Sequence, residues 1–506
     1  MRIGLDFGTT NSGAAVFDGQ RVHLFPLDPL SRDPTVMRST LYVTRDQQVS
    51  IGQQAINTYY QQNIGRPSRM IRQYVGEIET TLGEVGSVKG YPVGPSTYIR
   101  DVYVLIDELT PGRLLQSLKS ALATSYEGTA ILGRYYTLEE LIAMYLQKVR
   151  QRVEAETGQA VDGVVLGRPV HFAGGCFDPH GCFDPHGCAD PHGCADPQSS
   201  TTADDQRARD RLRRAAEMAG FQDIAFELEP VAAALHYELT SGGQPQNVVV
   251  FDFGGGTLDI TVMRIGNASE GDPVGATLRG RPHGRPHGRP HPARKVFATG
   301  GVGIAGDAFD QRIIEELLLD HFGRGSTWGE DGAPFPSQFT DALVNWQTIP
   351  DLSRPETLRF LRMVQHTSSR PEQVRALESL LVNNDAMRLI DEVERSKIAL
   401  SSLHFTAIRL TGDNIDLWQP ITRSQFEALI TDATRRIEAC LLDTVQRSGL
   451  GMDEIDVVVR TGGSAQIPCF IEMMERTFGP QKVVLSDVFN GVTAGLAIRA
   501  YLGPDL

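Results

Sequence analysis

The apolar positions of the chain change period several times, and two of these changes repeat one another. Met1–Phe17 (MRIGLDFGTTNSGAAVF) and Val248–Met263 (VVVFDFGGGTLDITVM) each run from an apolar strand through Asp-Phe-Gly and a turn of small residues into a second apolar strand. Alternating and β-branched residues predict the strands, and glycine supplies the positive φ or the close backbone approach that such turns need. The pattern predicts two copies of one hairpin about half a chain apart. A third strand and turn are predicted at Asp456–Pro468 (DVVVRTGGSAQIP), where three consecutive valines, as in a buried strand, run into Gly-Gly.

Elsewhere the period is helical. Leu138, Leu141, Ile142, Tyr145, Leu146, Val149 and Val153 predict a helix over Thr137–Thr157, and Thr137 with Glu140 forms a capping box at its start. A second helix is predicted from Asp204 to Ala219, stopped by Gly220, with Arg207 to Arg214 on a solvated basic face. Strands alternating with helices around a repeated hairpin predict an α/β protein of two related lobes with a ligand between them.

Two low-complexity tracts interrupt this plan. Gly175–Gln198 repeats Gly-Cys-Phe/Ala-Asp-Pro-His with a period of six, and Gly280–His291 repeats Gly-Arg-Pro-His with a period of four. Cys, His and Asp in the first are zinc-ligand types. Its spacing matches no structural zinc motif, however, and regularly recurring proline disfavours compact structure. Both tracts therefore read as insertions outside the core.

Composition narrows the classes. The chain has 506 residues, more than one simple core, with 41% apolar and 22% charged residues, the balance of a folded protein. A net charge of −14 excludes a broad electrostatic grip on nucleic acid, which needs clustered basic residues. No apolar run approaches the ~18 residues of a membrane span, and Met1 leads into strand residues rather than a signal peptide. The expectation is a cytoplasmic protein with no nucleic-acid or membrane partner. Four of the six cysteines (Cys176, Cys182, Cys188, Cys194) fall in the first tract, leaving Cys440 and Cys469, too few for a disulfide framework.

A nucleoside triphosphate needs close backbone N–H donors, a cation, and carboxylates for the cation's water shell. Gly8, Thr9, Thr10 and Asn11 offer amides and hydroxyls beside Asp6, and Gly254, Gly255, Gly256 and Thr257 do so beside Asp252. A lone turn of this kind is usually just a hairpin. The near-identical pair, followed by a Gly-Gly-Ser turn, predicts two clamps around the phosphates of such a ligand. The Gly-Lys-Ser/Thr pattern of the Walker loop is absent, as is a dinucleotide fingerprint.

IGLDFGTTNS, FDFGGGTLD and TGGSAQIP resemble the phosphate-one, phosphate-two and adenosine motifs of the heat-shock protein 70 (DnaK-like) nucleotide-binding domain, part of the actin and sugar-kinase superfamily. VVLGRPVHF (164–172), LEPVAAALHY (228–237) and GDAFD (306–310) are similar to that family's connecting segments, and Gly323–Leu381 is least alike. The resemblance implies an actin-like ATPase fold: two lobes, each a mixed ribonuclease H-like β-sheet flanked by helices, with the nucleotide cleft between. Lobe I would span 1–242, with the insert 175–198. Lobe II would span 243–485, with the insert 268–294 and a helical subdomain over about 311–405, before a closing helix within 486–506. After VTAGLAIRAYLGPDL no residues remain for a peptide-binding domain, so the chain looks most like the truncated, YegD-like branch.

Carried over residue by residue, the resemblance makes Asp6 and Asp252 water-mediated holders of Mg²⁺, Glu229 an organiser of the attacking water, and Thr257 a γ-phosphate contact. Gly462, Gly463, Ser464 and Gln466 would lie at the adenosine, with Glu394, Lys397 and Ser401 (VERSKIALSS) touching ribose and base from the other side. Where the family stacks an arginine on adenine this chain has Ile398, and Gln466 stands where an arginine is common. The catalytic lysine, a charge that stabilises the transferring phosphoryl group, is assigned to Lys119 in LLQSLKSAL as a strand-borne residue; Arg72 and Lys89 are the other candidates. The implied function is weak Mg-dependent hydrolysis of ATP to ADP by a monomeric nucleotide switch, with lobe closure read by a protein partner. Arg168 and Pro169 lie where the family couples nucleotide to lobe angle. A small-molecule kinase and an actin-like filament subunit are the alternatives. The kinase needs a general-base aspartate that no motif here offers, and filaments would sediment on adding ATP.

Overall fold

Arg2–Phe7 and Asn11–Phe17 pair antiparallel, placing Asp6 opposite Gly13, and Gln246–Phe253 pairs with Leu258–Ile265 in the same way, placing Asp252 opposite Asp259. Both hairpins are nearly continuous apolar runs because both of their faces are covered. In this computed structural model residues 1–64, 66, 70–82, 86–88, 91–93, 96–172, 197–266, 294–344, 349–487 and 489–503 are described. The four repeat cysteines, the tract Gly280–His291, Lys89 and the side chain of Arg72 lie outside the described part.

Each hairpin seeds a sheet with the same order. The first runs Asp223–Leu228, Gly163–Arg168, Arg2–Phe7, Asn11–Phe17, Val22–Leu24, with Met37–Arg38 also pairing with Asn11–Phe17. The second runs Val483–Leu485, Val457–Thr461, Gln246–Phe253, Leu258–Ile265, Lys295–Val302. In both, the two strands beyond the hairpin's first strand are parallel to it and the strand beyond its second is antiparallel. Parallel neighbours require a crossover, supplied for Gly163–Arg168 by the helix Leu138–Thr157. The result is the two-lobed, ribonuclease H-like α/β architecture of the actin-like ATPases.

Each lobe has its own apolar core. A third cluster joins them: Val165, Ala232, Val248, Val459, Val492 and Leu496 pack together from both sheets and two helices, Glu229–Thr240 and Gly491–Leu502. Small residues allow this contact. A Cβ on Gly4 would stand 2.1 Å from the Ala497 nitrogen, and one on Gly495 would stand 1.7 Å from the Ala232 carbonyl oxygen. A side chain at Gly4 would push the closing helix off the sheet, and one at Gly495 would push it off the helix Glu229–Thr240.

The predicted capping box is present: the Thr137 N–H donates to the Glu140 carboxylate at 2.7 Å and the Glu140 N–H donates to Thr137 Oγ1 at 3.2 Å. The second predicted helix starts earlier, at Pro197, and ends at Met218, with Gly220 at φ +92°. Its basic face is not wholly solvated. Arg211 is buried, donating to Glu139 and to the carbonyls of Leu122, Thr124 and Tyr126, because that side of the helix packs against Leu138–Thr157. Within 311–405, Pro355–Val364, Pro371–Val382 and Ala386–Leu400 are helical, and the hairpin Phe405–Gly412/Ile415–Thr422 follows. Among the described residues no helix is long and apolar enough to cross a membrane.

Candidate functional site

The two hairpin turns come from different sheets yet meet. A Cβ on Gly255 would stand 1.9 Å from Thr10 Oγ1, and one on Gly256 would stand 2.7 Å from Thr9 Oγ1, so glycine is what permits the approach. Thr10 Oγ1 is buried with no hydrogen-bond partner. The second turn is braced from behind: the Gly254 carbonyl accepts from Ser464 Oγ at 2.7 Å and the Gly255 carbonyl accepts from the Asp307 N–H at 2.8 Å. Gly462 takes φ +85° at the end of Val457–Thr461, where a Cβ would meet the Phe253 carbonyl oxygen at 2.3 Å. The three sequence-predicted turns thus converge.

Carboxylates gather behind them. Burial, reinforced by Glu229, pushes the Asp6 carboxyl up to about 7, with Lys119 acting against the shift. Burial pushes Asp252 well above the carboxylate range, with Glu229, Asp259 and Asp6 adding to it. Asp259 is raised by burial and then Glu229 to about 7, even though the Val170 N–H and Thr257 Oγ1 donate to it at 2.6 and 3.0 Å. The cation facing this group is Lys119, whose Nζ donates to Glu229 Oε1 at 2.5 Å. Burial opposes the charge on Lys119, but Glu229 and Asp6 outweigh it and hold the ammonium protonated.

Lys119 does not sit on a strand as expected. The strand Gly112–Gln116 ends at Ser117, whose left-handed backbone (φ 50°) turns the chain into the short 3₁₀ segment Leu118–Ala121 and the lysine inward. Glu394 and Lys397, read as ribose and base contacts, have protein partners: Glu394 accepts two hydrogen bonds from Arg38 of the other lobe, while Lys397 Nζ donates to the Gly306 carbonyl at 2.8 Å and to Asp310 at 2.5 Å. Ser401 caps the same helix. Gln466 closes the short 3₁₀ turn Ser464–Gln466, and Ile398 is exposed.

Asp259 was missed as a site residue, although it stands inside the FDFGGGTLD motif. Its signal is a second aspartate in register with Asp252 on the facing strand. Arg38 gave no signal, since it lies in no motif. The Val170–Asp259 hydrogen bond crosses between lobes directly after Arg168-Pro169, and Tyr60 of lobe I donates to Asp391 of lobe II.

Paired ribonuclease H-like sheets whose glycine turns meet over buried carboxylates define a domain of the actin-like ATPase superfamily. Comparisons with known proteins agree: the family model described as Hsp70 protein matches residues 203–271 and 362–502. The chain is 24% identical over 439 residues to the chaperone protein DnaK of Thermotoga neapolitana, covering 83% of this chain and 55% of that protein. The DnaK proteins of Thermotoga petrophila and Thermotoga maritima are 25% identical with the same coverage. Over these ranges the chain is similar to the heat-shock protein 70 family, and it spans about 55% of the length of those relatives. Most of the stretch read as least alike, Gly323–Leu381, lies between the matched ranges, although 362–381 lies within one.

Proposed function

We propose that this domain binds Mg-ATP between the lobes and hydrolyses it weakly, closing and reopening as nucleotide binds and leaves. The observation that carries this reading is the meeting of the glycine turns over Asp6, Asp252, Asp259 and Glu229, which have one lysine among them. Carboxyls crowded so that burial and one another hold them above their ordinary range call for a divalent cation to keep them ionised. Among the described residues no three His, Cys, Asp or Glu side chains are grouped closely enough to ligate an ion directly. As the resemblance implies, Asp6 and Asp252 would hold Mg²⁺ through its water shell. The bound ion would supply countercharge to the phosphates.

The chain's own groups do the rest. Backbone amides of Gly8–Asn11 and Gly255–Thr257 cradle the phosphates, while the Gly254 N–H closes the second turn on the Thr257 carbonyl at 3.1 Å. Lys119 stabilises charge developing on the transferred group. Glu229, fixed by Lys119, orients the attacking water. Asp259, with its carboxyl near 7, is poised to accept that water's proton at neutral pH. Gly462, Gly463 and Ser464 floor the adenosine end.

Lobe closure would act through the Val170–Asp259 bond on the segment after Pro169 and be read by a protein partner. The matched relatives are named chaperone proteins; for this chain we extend that to an ATP-driven switch of chaperone type, working as a cytoplasmic monomer. Calorimetric titration with ATP, with Mg²⁺ and then with chelator, tests the reading. Mg-dependent binding and slow phosphate release that D252N removes are expected, whereas folded protein with no affinity for ATP would overturn it.

A further inference from the structure

Arg38 belongs to both lobes at once. Its backbone lies in the strand Met37–Arg38, paired with Asn11 at the end of the first glycine turn, and its side chain leaves lobe I to give two hydrogen bonds to Glu394. Burial opposes the charge on its guanidinium, but Glu394, Asp391 and Asp307 outweigh it. Asp307 also braces the second turn, its N–H donating to the Gly255 carbonyl at 2.8 Å. Arg38 therefore joins the backbone of one turn to the lobe that carries the other.

A strand of two residues is a weak tether by itself, and lobe I reinforces it. Met37 is buried in the apolar core opposite Ser12, the Ser39 N–H donates to the Thr10 carbonyl at 2.8 Å, and the Ser12 and Ser39 hydroxyls share a hydrogen bond of 2.8 Å. Tyr145 closes the arrangement. From the helix Leu138–Thr157 its hydroxyl donates to the Arg38 carbonyl at 3.2 Å, while its ring packs on Phe7, the residue before the turn, with centroids 5.4 Å apart. One buried side chain thus touches both flanks of the turn. The ring alone would fill the core; the hydroxyl is what ties the helix to Arg38.

We infer that Arg38 and Tyr145 are positioning residues that couple closure of the lobes to the alignment of the first phosphate turn. When Glu394 engages Arg38, the pull on the guanidinium is resisted at the Arg38 carbonyl by Tyr145, so it aligns Asn11 and Thr10 instead of displacing the strand. Phosphate binding at the turn and formation of the Arg38–Glu394 pair then favour one another, because coupling between two events is reciprocal. The assignment rests on the Mg-ATP reading and adds to it how the phosphate site responds to a shut cleft.

Mg-tripolyphosphate, which has neither ribose nor base, reports on the turns alone. By charge alone E394Q should tighten binding of this anion, because it removes a carboxylate from the cleft. Coupling through Arg38 requires the reverse. In titration calorimetry E394Q and Y145F should each bind Mg-tripolyphosphate about fivefold more weakly, the worth of one lost hydrogen bond. The double variant E394Q/Y145F should be no more than about twofold weaker than either, since both changes break one link. S39A, which removes a hydroxyl from the same network, takes the place of Y145F if that variant does not fold. Unchanged or tighter binding by E394Q, unchanged binding by Y145F, a double variant weakened by the full product of about 25-fold, or a parent that binds Mg-ATP but not Mg-tripolyphosphate overturns the coupling and leaves the ATP reading standing. A folded parent that binds neither ligand overturns both.

Discussion

Lys119 Nζ lies 2.5 Å from Glu229 Oε1, both groups buried, although 110 positions separate them in the chain. Removing one partner of a buried pair leaves the other charge unpaired, at a cost of about 3–5 kcal/mol. K119A should therefore unfold at lower denaturant as well as lose phosphate release, and K119A/E229Q should recover stability but not turnover. Urea melts of the three proteins beside a phosphate assay check this.

The raised carboxyls make stability depend on pH. Asp6 and Asp259 have folded values of about 7 against an ordinary 3.8, so between these values the native state holds protons that the unfolded chain has released. Their contribution is complete below about pH 4 and is lost as pH rises through about 7. In chelator, the melting temperature of the parent should fall over that window more steeply than that of D259N. A parallel pair of curves would contradict the burial argument.

Arg38 and Glu394 join the lobes through a pair of hydrogen bonds with side chains 30% and 20% exposed. Partial exposure limits their worth to roughly 1 kcal/mol. E394Q or R38A should speed release of a fluorescent ADP about fivefold in stopped flow, the same quantity expressed as a rate. Identical release rates would show that the pair does not hold the cleft shut.

Gly255 has no room for a methyl group, its Cβ position being 1.9 Å from Thr10 Oγ1. G255A should part the two turns at about 1–3 kcal/mol, the usual cost of overpacking, seen as weaker ATP binding. The companion T10A/G255A, which removes the clash, should regain part of it.

Arg211 makes a prediction independent of ATP. Its guanidinium satisfies Glu139 and three backbone carbonyls in the packing of Pro197–Met218 on Leu138–Thr157. R211A should lower stability by about 3–5 kcal/mol in a denaturant melt, whereas R214A, at an exposed site, should change little.

What the sequence determined by itself was local. Asp-Phe-Gly between apolar runs specifies a strand and a tight turn within a few residues, and Thr137 with Glu140 starts a helix whichever neighbours it meets. Both hairpins, the valine strand at Val457–Thr461 and the capped helix were therefore legible, and their repetition implied paired lobes. The tertiary structure decided what the side chains do. Asp259 is tied across the lobes because Val170 donates to it; Lys119 faces inward because Ser117 turns left-handed; Glu394 and Lys397 are paired with Arg38 and Asp310; and Arg211 is buried by a distant helix. Backbone turns depend on steric limits between adjacent residues, whereas desolvation and partner charge are summed over groups that only folding brings together.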